Sequence, residues 1–423
     1  MSQFSPNPTG SPEGAAARKP ISRRRKAMFV AIIVLVLAVG QEIVCRLLFP
    51  IPEVENFNRI DYTRLNIYSP DVERARRQGL TNVIIQWENA VDGFSFEHTL
   101  NIYGFRGPDF PADPPPGRDR IVMVGDSFVE GCGAADDDTI AEQFRRIMAD
   151  RQPTDVLNLG VDAANFPEYV KLVRDGVELL KPKCVFLFLC TNDLPAPAIG
   201  DELREPPPMY RRTNPAWPRS LKLLSRYLQG ESIPRRFPSG PFPFFAPIPS
   251  PTNQLTHVNP AQGIDAKVLE AMQQGRANPW AMNVPAFHES VLRHDFSKGG
   301  SPREHLKVQR EWCREANCKL VVVYIPLCTI ANPIYIESQN KLGGPGYGKL
   351  AQLDDRHLAQ QRHLREVTSQ LQIPFLDTTN MFIEAERTKG RMFWPIDGHC
   401  NAQGYRILAE ACADYWTAGK VPE

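Results

Sequence analysis

Three residues of this sequence have the types and the order that a serine nucleophile requires. Ser127 follows the apolar run 121–124 after a Gly-Asp pair, and such a tight turn would lift its hydroxyl out of a sheet. A serine becomes a nucleophile only when a base lies beside it. Asp397 and His399 flank Gly398 near the end of the chain, and the glycine lets the carboxylate accept from the imidazole and fix its tautomer. We therefore predict that His399 takes the proton of Ser127.

A serine of this kind also needs hydrogen-bond donors for the oxyanion that forms on its substrate. The predicted donors are the N–H of Ser127, the N–H of Gly160 and the side-chain amide of Asn192, each close behind an apolar run. Structural interpretations stay open for the same residues. Gly160 also suits an ordinary turn, Asn192 suits a strand-to-loop cap, and the Asp-Gly-His triplet suits the cap of a following helix.

The elements that must position these residues alternate between strands and helices. Strands are predicted at 121–124, 156–159, 184–190, 320–325 and 375–377, and helices near 138–150, 170–180, 302–316, 353–371 and 402–416. This alternation predicts an α/β fold with a mostly parallel sheet and helices on both faces. Ligands of such sheets bind beyond the carboxyl ends of the strands, where Ser127, Gly160 and Asn192 are expected.

Two regions do not follow this alternation. Residues 50–117 mix short apolar stretches with polar and proline-rich ones, and we interpret them as an irregular juxtamembrane extension. Residues 118–423 form the predicted catalytic domain. Within it, prolines, glycines and aromatic residues from about 195 to 300 indicate an insertion of low regularity, a candidate lid.

The N-terminus predicts export of the chain. Residues 1–26 form a disordered basic cytoplasmic tail, and residues 27–49 reach the roughly 20 residues that span a bilayer. We interpret 27–49 as a transmembrane signal anchor, with Glu42 and Arg46 paired near its outer end and the catalytic domain outside the cytoplasm, in the periplasm or beyond. The alternative is a signal peptide cleaved after the small residues 38–40.

Charge and cysteine usage limit the partners and cofactors. The 49 basic and 48 acidic residues nearly cancel, which argues against a nucleic-acid partner. For Cys313 and Cys318, a disulfide and a pair of buried thiols both stay open. No histidine or cysteine spacing suits a metal, and His357 and His363 are interpreted as solvated surface residues. The sequence predicts neither a metal nor a cofactor.

The ordered set of motifs resembles the SGNH (GDSL-type) hydrolase superfamily. The matching segments are Gly125-Asp126-Ser127-Phe128, Gly160 after Asn158, Asn192-Asp193 and Asp397-Gly398-His399. Segment 101–107 and the N-terminal run look like exported, membrane-tethered bacterial members. The resemblance covers about 118–193 and 302–417. It implies a flavodoxin-like three-layer α/β/α sandwich in which the serine, glycine, asparagine and histidine supply the nucleophile, two oxyanion donors and the base.

One departure from the family concerns the second oxyanion donor. The stretch 161–165 lacks a glycine that the family often has there, which leaves the local shape open.

The resemblance implies a serine esterase that removes small acyl groups, acetyl above all, from an acylated small molecule or an envelope polysaccharide through an acyl-serine intermediate. Three alternatives are carried with it. A polysaccharide O-acetyltransferase would use the same residues, and an envelope binding module would keep the fold without catalysis. Lipolysis of long-chain lipids is suggested by the aromatic segment 242–245 and the anchor.

Overall fold

The computed structural model describes residues 22–49, 51, 53, 57, 84–204, 217–228, 263–274, 276–277, 294–343 and 359–418. Most of the predicted insertion, including the aromatic segment 242–245, lies outside these residues, and so does His357.

A five-stranded parallel sheet forms the centre of the protein. Two strands, β1 (Ile84–Asn89) and β2 (Phe94–Thr99), precede it, and its own strands are β3 (Asp119–Gly125), β4 (Thr154–Gly160), β5 (Cys184–Leu189), β6 (Lys319–Tyr324) and β7 (Phe375–Asp377). Their spatial order is β4-β3-β5-β6-β7, with every neighbouring pair parallel. This is the flavodoxin-like order, whose ligand crevice lies where the order reverses beside the first strand. Ser127 follows that strand, β3.

Helices cover both faces of the sheet. The helices of the described residues, some of which lie away from the sheet, are α1 (Arg23–Leu48), α2 (Ser127–Glu130), α3 (Ile140–Ala149), α4 (Phe166–Leu180), α5 (Arg219–Leu228), α6 (Ala266–Gln273), α7 (Arg303–Glu315), α8 (Cys328–Ala331), α9 (Ile334–Asn340), α10 (Ala359–Gln370), α11 (Thr379–Thr388) and α12 (Ala402–Ala418). Along β3, Val122 and Val124 pack into one core with α4, α7 and α10, whereas Ile121 and Met123 pack into a second core with α3, α11 and α12. The predicted three-layer α/β/α fold is confirmed.

Residues 84–99 correct the prediction of an irregular extension over 50–117. Strands β1 and β2 pair as an antiparallel hairpin, from Ile84 opposite Thr99 to Asn89 opposite Phe94. The sequence contains a hairpin signal, because the Asp-Gly pair at 92–93 stands directly before the alternating residues 94–98. In the structure, Gly93 adopts the φ of +79° that such a turn favours.

A buried arginine ties the segment after the hairpin to the segment that follows Ser127. Arg106 is only 2% exposed, and its guanidinium donates to Oδ1 of Asp136 at 2.7 Å. It also donates to the carbonyls of Glu130, Gly131 and Ala134. Residues 101–107 therefore pack as part of the domain that contains Ser127.

Helix α1 stands apart from both cores. It is 26 residues long, begins in a run of four basic residues, and is apolar enough to cross a membrane. None of its most apolar 18-residue window is buried within the protein. Near its end, Nε of Arg46 donates to Oε1 of Glu42 at 2.7 Å, the pairing that the sequence predicts.

The structure decides between the two interpretations of Cys313 and Cys318, and it corrects the interpretation of His363. All nine cysteines are free thiols, and eight are buried, so Cys313 and Cys318 form no disulfide. His363 differs from the prediction of a solvated side chain. Its ring is half-buried and stacks on Phe296 with centroids 4.2 Å apart, and its Nε2 lies 2.9 Å from Oγ of Ser301.

We expect Arg106→Met to destabilise the fold by about 3–5 kcal/mol, because it leaves several buried carbonyls without their donor. Urea unfolding followed by circular dichroism measures the change. Arg387→Met is the matched control, since Arg387 is an exposed arginine paired with Glu384 on one helix, and we expect its unfolding midpoint to stay unchanged. Equal midpoints for the two variants would contradict the structural role of Arg106.

Candidate active site

The turn that carries Ser127 is held by close packing and by a helix cap. Strand β3 ends at Gly125, and a side chain there would place its Cβ 2.4 Å from Cγ2 of Val129. Oδ1 of Asp126 accepts from the N–H of Phe128 at 3.0 Å and so caps the short helix α2. Ser127 is the first residue of that helix.

The loop 394–400 positions His399, the predicted base. The N–H of Trp394 donates to the carbonyl of His399 at 2.8 Å, and the N–H of Gly398 donates to the carbonyl of Trp394 at 2.9 Å. Gly398 has a φ of +83°, a conformation that other residues rarely adopt. The loop thus folds back on itself and turns the side chains of Asp397 and His399 toward each other.

The structure brings Ser127, His399 and Asp397 into one chain of contacts. Nε2 of His399 lies 2.7 Å from Oγ of Ser127, and its Nδ1 lies 2.6 Å from Oδ1 of Asp397. The tautomer that satisfies both contacts carries its proton on Nδ1, donates to Asp397 and accepts from the serine hydroxyl. The ring of Phe128 packs on the imidazole, with centroids 4.9 Å apart.

The charge of Asp397 tunes the base. Burial of the imidazole is the largest single effect and opposes its protonated form. The charge and hydrogen bond of the Asp397 carboxylate, together with the charges of Asp126 and Asp162, outweigh burial and raise the pKa of His399 above its ordinary value. A base with a raised pKa holds the proton of the serine more strongly once it has accepted it.

Gly160 serves a different purpose from the predicted one. The N–H of Gly160 donates to Oδ1 of Asn158 at 2.8 Å. This N–H is therefore already used within the protein, although the sequence analysis predicted that it would donate to the oxyanion. Nδ2 of Asn158 in turn donates to the carbonyl of Val129 at 2.9 Å. A Cβ on Gly160 would lie 2.1 Å from the backbone nitrogen of Glu130. Gly160 is therefore the glycine that lets helix α2 approach strand β4.

Asn192 lies on the same rim, held by a buried polar network. Its Nδ2 donates to Oδ2 of Asp126 at 2.9 Å, and the thiol of Cys190 donates to its Oδ1. Among the described residues, Asp126 is the acceptor of this amide, which carries a second hydrogen.

Asp193, the next residue, is the buried acid of the same network. Burial and the nearby Asp126 carboxylate raise the pKa of Asp193 well above its usual range, and the Tyr169 hydroxyl donates to its Oδ1 at 2.6 Å.

The sequence analysis missed Asp92, at the tip of the β1–β2 hairpin. Its carboxylate accepts from the N–H of Ile396 at 3.0 Å and from the N–H of Asp397 at 2.7 Å. Phe94, two residues further, packs on Trp394 with ring centroids 4.6 Å apart. The hairpin therefore fixes the backbone of the loop that carries the base. The contact joins residues 305 positions apart, and no pattern in the sequence relates them. The hairpin could have been predicted from the sequence, but this contact could not.

Two groups of side chains bring three potential metal ligands within 4.8 Å of one another. They are His98, Glu130 and Cys132, and Asp126, Cys190 and Asp193. Every carboxylate oxygen in both groups already contacts a donor within the protein. We assign no metal site to either group.

Comparison with known families identifies the chain. Residues 123–407, about two thirds of the sequence, match the GDSL-like lipase/acylhydrolase family. The chain belongs to this family. The match includes the Ser127 turn, Asn192 and the Asp397–His399 loop, and it supports an esterase or acylhydrolase activity.

Solved structures resemble the chain only distantly. A lipase/acylhydrolase from Enterococcus faecalis is 11% identical, with a TM-score of 0.36 and coverage of 72% of this chain and 98% of that one. A catalytic mutant of an acetylxylan esterase from Geobacillus stearothermophilus is 12% identical, with a TM-score of 0.33 and coverage of 72% and 97%. No curated protein matches the chain significantly.

Asp397→Asn tests the electrostatic role of the loop carboxylate. We expect the rate of aryl acetate hydrolysis to fall by about 10³–10⁴-fold, because an amide favours the wrong imidazole tautomer. The residual activity should have its acidic limb at a lower pH than the wild type, since the charge that raises the pKa of His399 is gone. The pH dependence of kcat/KM measures both, with Asp150→Asn at an exposed acid as the control. An acidic limb that stays or moves upward would contradict this assignment.

Asp92→Ala tests the hairpin contact. Burial raises the pKa of Asp92 to about 6, so its carboxylate is ionised at neutral pH and accepts the two N–H groups. We expect Asp92→Ala to lower kcat by about 10–100-fold with little change in KM, because a small displacement of the base is costly. Asp92→Asn keeps an acceptor and should recover part of the loss. Equal losses in the alanine and asparagine variants would argue against positioning through these hydrogen bonds.

Proposed function

We propose that this protein is a serine esterase that works through an acyl-Ser127 intermediate. The observation that carries the proposal is the continuous chain of contacts from Oγ of Ser127 through His399 to Asp397. A binding module that only kept the fold would have no need for a hydroxyl, an imidazole and a carboxylate at these distances.

The proposed reaction follows these contacts. The imidazole Nε2 of His399 takes the proton of Ser127 as Oγ attacks the ester carbonyl, and the Asp397 carboxylate stabilises the imidazolium. The protonated ring then donates to the leaving alcohol, which departs and leaves the acyl group on Oγ. Water activated by the same ring attacks the acyl-enzyme, and the proton returns to Ser127 as the acid is released.

The oxyanion donors in this proposal are the N–H of Ser127, the amide of Asn192 and a third group, the N–H of Ala163. Among the described residues, no acceptor takes the N–H of Ser127 or that of Ala163. Ala163 has a φ of +58°, which is unfavourable for alanine, and lies in the turn 161–164 directly beyond β4. It belongs to the stretch in which the family's glycine is missing.

A small acyl group, acetyl above all, is the substrate we propose. Ser127 is only 6% exposed, and Phe128 packs on the imidazole beside it, so the surroundings of the nucleophile favour a short chain. Transfer to a sugar hydroxyl would use the same residues and would differ only in the acceptor that reaches the acyl-enzyme. We propose hydrolysis as the reaction and an acylated envelope polysaccharide as the natural substrate.

The proposed location is a single-pass membrane protein with its catalytic domain outside the cytoplasm. Helix α1 runs without a break through residues 38–40 and is about 39 Å long, which exceeds the hydrocarbon core of a bilayer, about 30 Å. Its basic residues lie at the N-terminal end, which favours a cytoplasmic N-terminus.

Ser127→Ala tests the nucleophile. We expect it to abolish fluorophosphonate labelling and to lower aryl acetate hydrolysis by at least about 10³-fold, while the unfolding midpoint stays close to that of the wild type. Ser369→Ala, at an exposed serine of helix α10, is the control and should keep both labelling and activity. Activity that survives Ser127→Ala would exclude this nucleophile.

The same assay defines the acyl group and the acceptor. We expect acetyl aryl esters to be hydrolysed faster than octanoyl esters, and a preference for octanoyl would favour lipolysis instead. Adding a glycan acceptor at constant aryl acetate should leave acetate as the main product. Acetylated glycan as the main product would identify a transferase.

A further inference from the structure

Helix α5 and the residue pair before it expose apolar side chains that neither core covers. Five large side chains at 217–228 are each more than half exposed: Trp217 (65%), Leu221 (58%), Leu224 (53%), Tyr227 (69%) and Leu228 (74%). Within the described residues, only Ile334 and Ile383 are comparable apolar side chains outside α1. Five of these seven therefore fall in one short segment, which indicates a contact surface rather than scattered exposure.

The helical spacing gathers four of these side chains on one face, and Tyr227 lies at the edge of that face. Leu221, Leu224 and Leu228 follow the i, i+3, i+7 pattern, and Trp217 precedes Leu221 by one turn. Leu223 lies on another face and is buried. Lys222 is half-buried on the side away from the leucines. The helix is thus amphipathic, with its apolar face directed away from the rest of the described protein.

Hydrogen bonds fix the start of α5 against the last turns of α1. The carboxylate of Glu42 accepts from the N–H of Arg219 at 2.7 Å and from the N–H and hydroxyl of Ser220 at 3.1 Å each. Nη2 of Arg46 donates to the carbonyl of Trp217 at 3.4 Å. A side chain of α1 therefore takes the place of the N-cap of α5.

This attachment places α5 at a defined depth. Arg46 follows Lys26, the last residue of the basic cluster, by 20 positions. At 1.5 Å per residue this is about 30 Å, the thickness of the hydrocarbon core. Arg46 therefore lies at the outer boundary of a bilayer crossed by α1, and Glu42 lies about one helical turn, roughly 6 Å, below it. Tryptophan and tyrosine prefer this boundary, and Trp217 and Tyr227 belong to the exposed face.

We propose that α5 is an interfacial helix whose apolar face, formed by Trp217, Leu221, Leu224, Tyr227 and Leu228, inserts into the outer leaflet of the membrane that α1 spans. This rests on the proposed anchoring of the chain. The occupant is lipid because the apolar face adjoins the membrane-spanning helix and lies at headgroup level. The protein then contacts the bilayer through two helices: α1 crosses it, and α5 lies along its outer surface.

Fluorescence quenching by brominated lipids tests the inference. The full chain is reconstituted into vesicles of phosphatidylcholine and phosphatidylglycerol whose acyl chains carry bromine near the headgroup. We expect the wild type to lose clearly more fluorescence than Trp217→Phe. The control adds Ile383→Trp to Trp217→Phe, which places a tryptophan at an exposed site on α11, and this tryptophan should not be quenched. Equal quenching of the wild type and Trp217→Phe would overturn the proposal.

A second set of variants tests the leucines. We expect the triple change Leu221→Ser, Leu224→Ser and Leu228→Ser to reduce quenching of Trp217 at least twofold. The control pair Ile334→Ser and Ile383→Ser should leave it unchanged. Circular dichroism and aryl acetate hydrolysis should be the same in all of these proteins. Unchanged quenching in the triple variant would exclude insertion of this face.

Two further measurements distinguish loss of the membrane anchor, absence of lipid insertion by α5, and coverage of α5 by a second copy. Alkaline carbonate extraction reports on α1 alone, so release of the wild type from membranes would reject the anchor and, with it, the interfacial helix. Resistance to carbonate without quenching of Trp217 would reject only the interfacial helix. Disulfide crosslinking of Leu221→Cys between copies, with a yield that rises with the protein-to-lipid ratio, would show that a second copy covers this face and would overturn the assignment to lipid.

Discussion

The contact between Ser127 and His399 is the constraint on which the rest of the structure depends. It joins residues 272 positions apart at 2.7 Å, a distance that tolerates little error if a proton is to pass. Two loops must therefore be fixed independently. The serine turn is fixed by close packing at Gly125 and Gly160, and the histidine loop by its own backbone hydrogen bonds and by Gly398.

The hairpin gives the region before the catalytic domain a role in the active site. Asp92 holds the backbone of the base loop, and Arg106 holds the segment after the nucleophile. Both contacts originate between residues 84 and 107, so this region supports the two halves of the site from one side. Buried charges of this kind are costly to desolvate and are retained where they satisfy several groups at once, as both do here.

The polar network that contacts Asn192 also holds the segment around Ser127. Asp126 both caps helix α2 and accepts from the amide of Asn192, so one carboxylate fixes the nucleophile turn and a proposed oxyanion donor together. The buried thiol of Cys190 contacts the same two residues. A preorganised donor does not have to reorient during the reaction, which is the main advantage of such a rigid arrangement.

The alternation of strands and helices, the order of the motifs and the apolar N-terminal helix could all be predicted from the sequence, because they follow from local periodicity and residue type. The positions of Ser127, Asp397 and His399 in turns at strand or helix ends could be predicted as well. The sequence could not show that the N–H of Gly160 donates to Asn158, that Asp92 contacts the loop 394–400 from the hairpin tip, or that Arg106 contacts the residues after Ser127 from the segment behind the hairpin. These contacts depend on which groups of segments distant in sequence come together in the fold, and no local pattern of side chains predicts them.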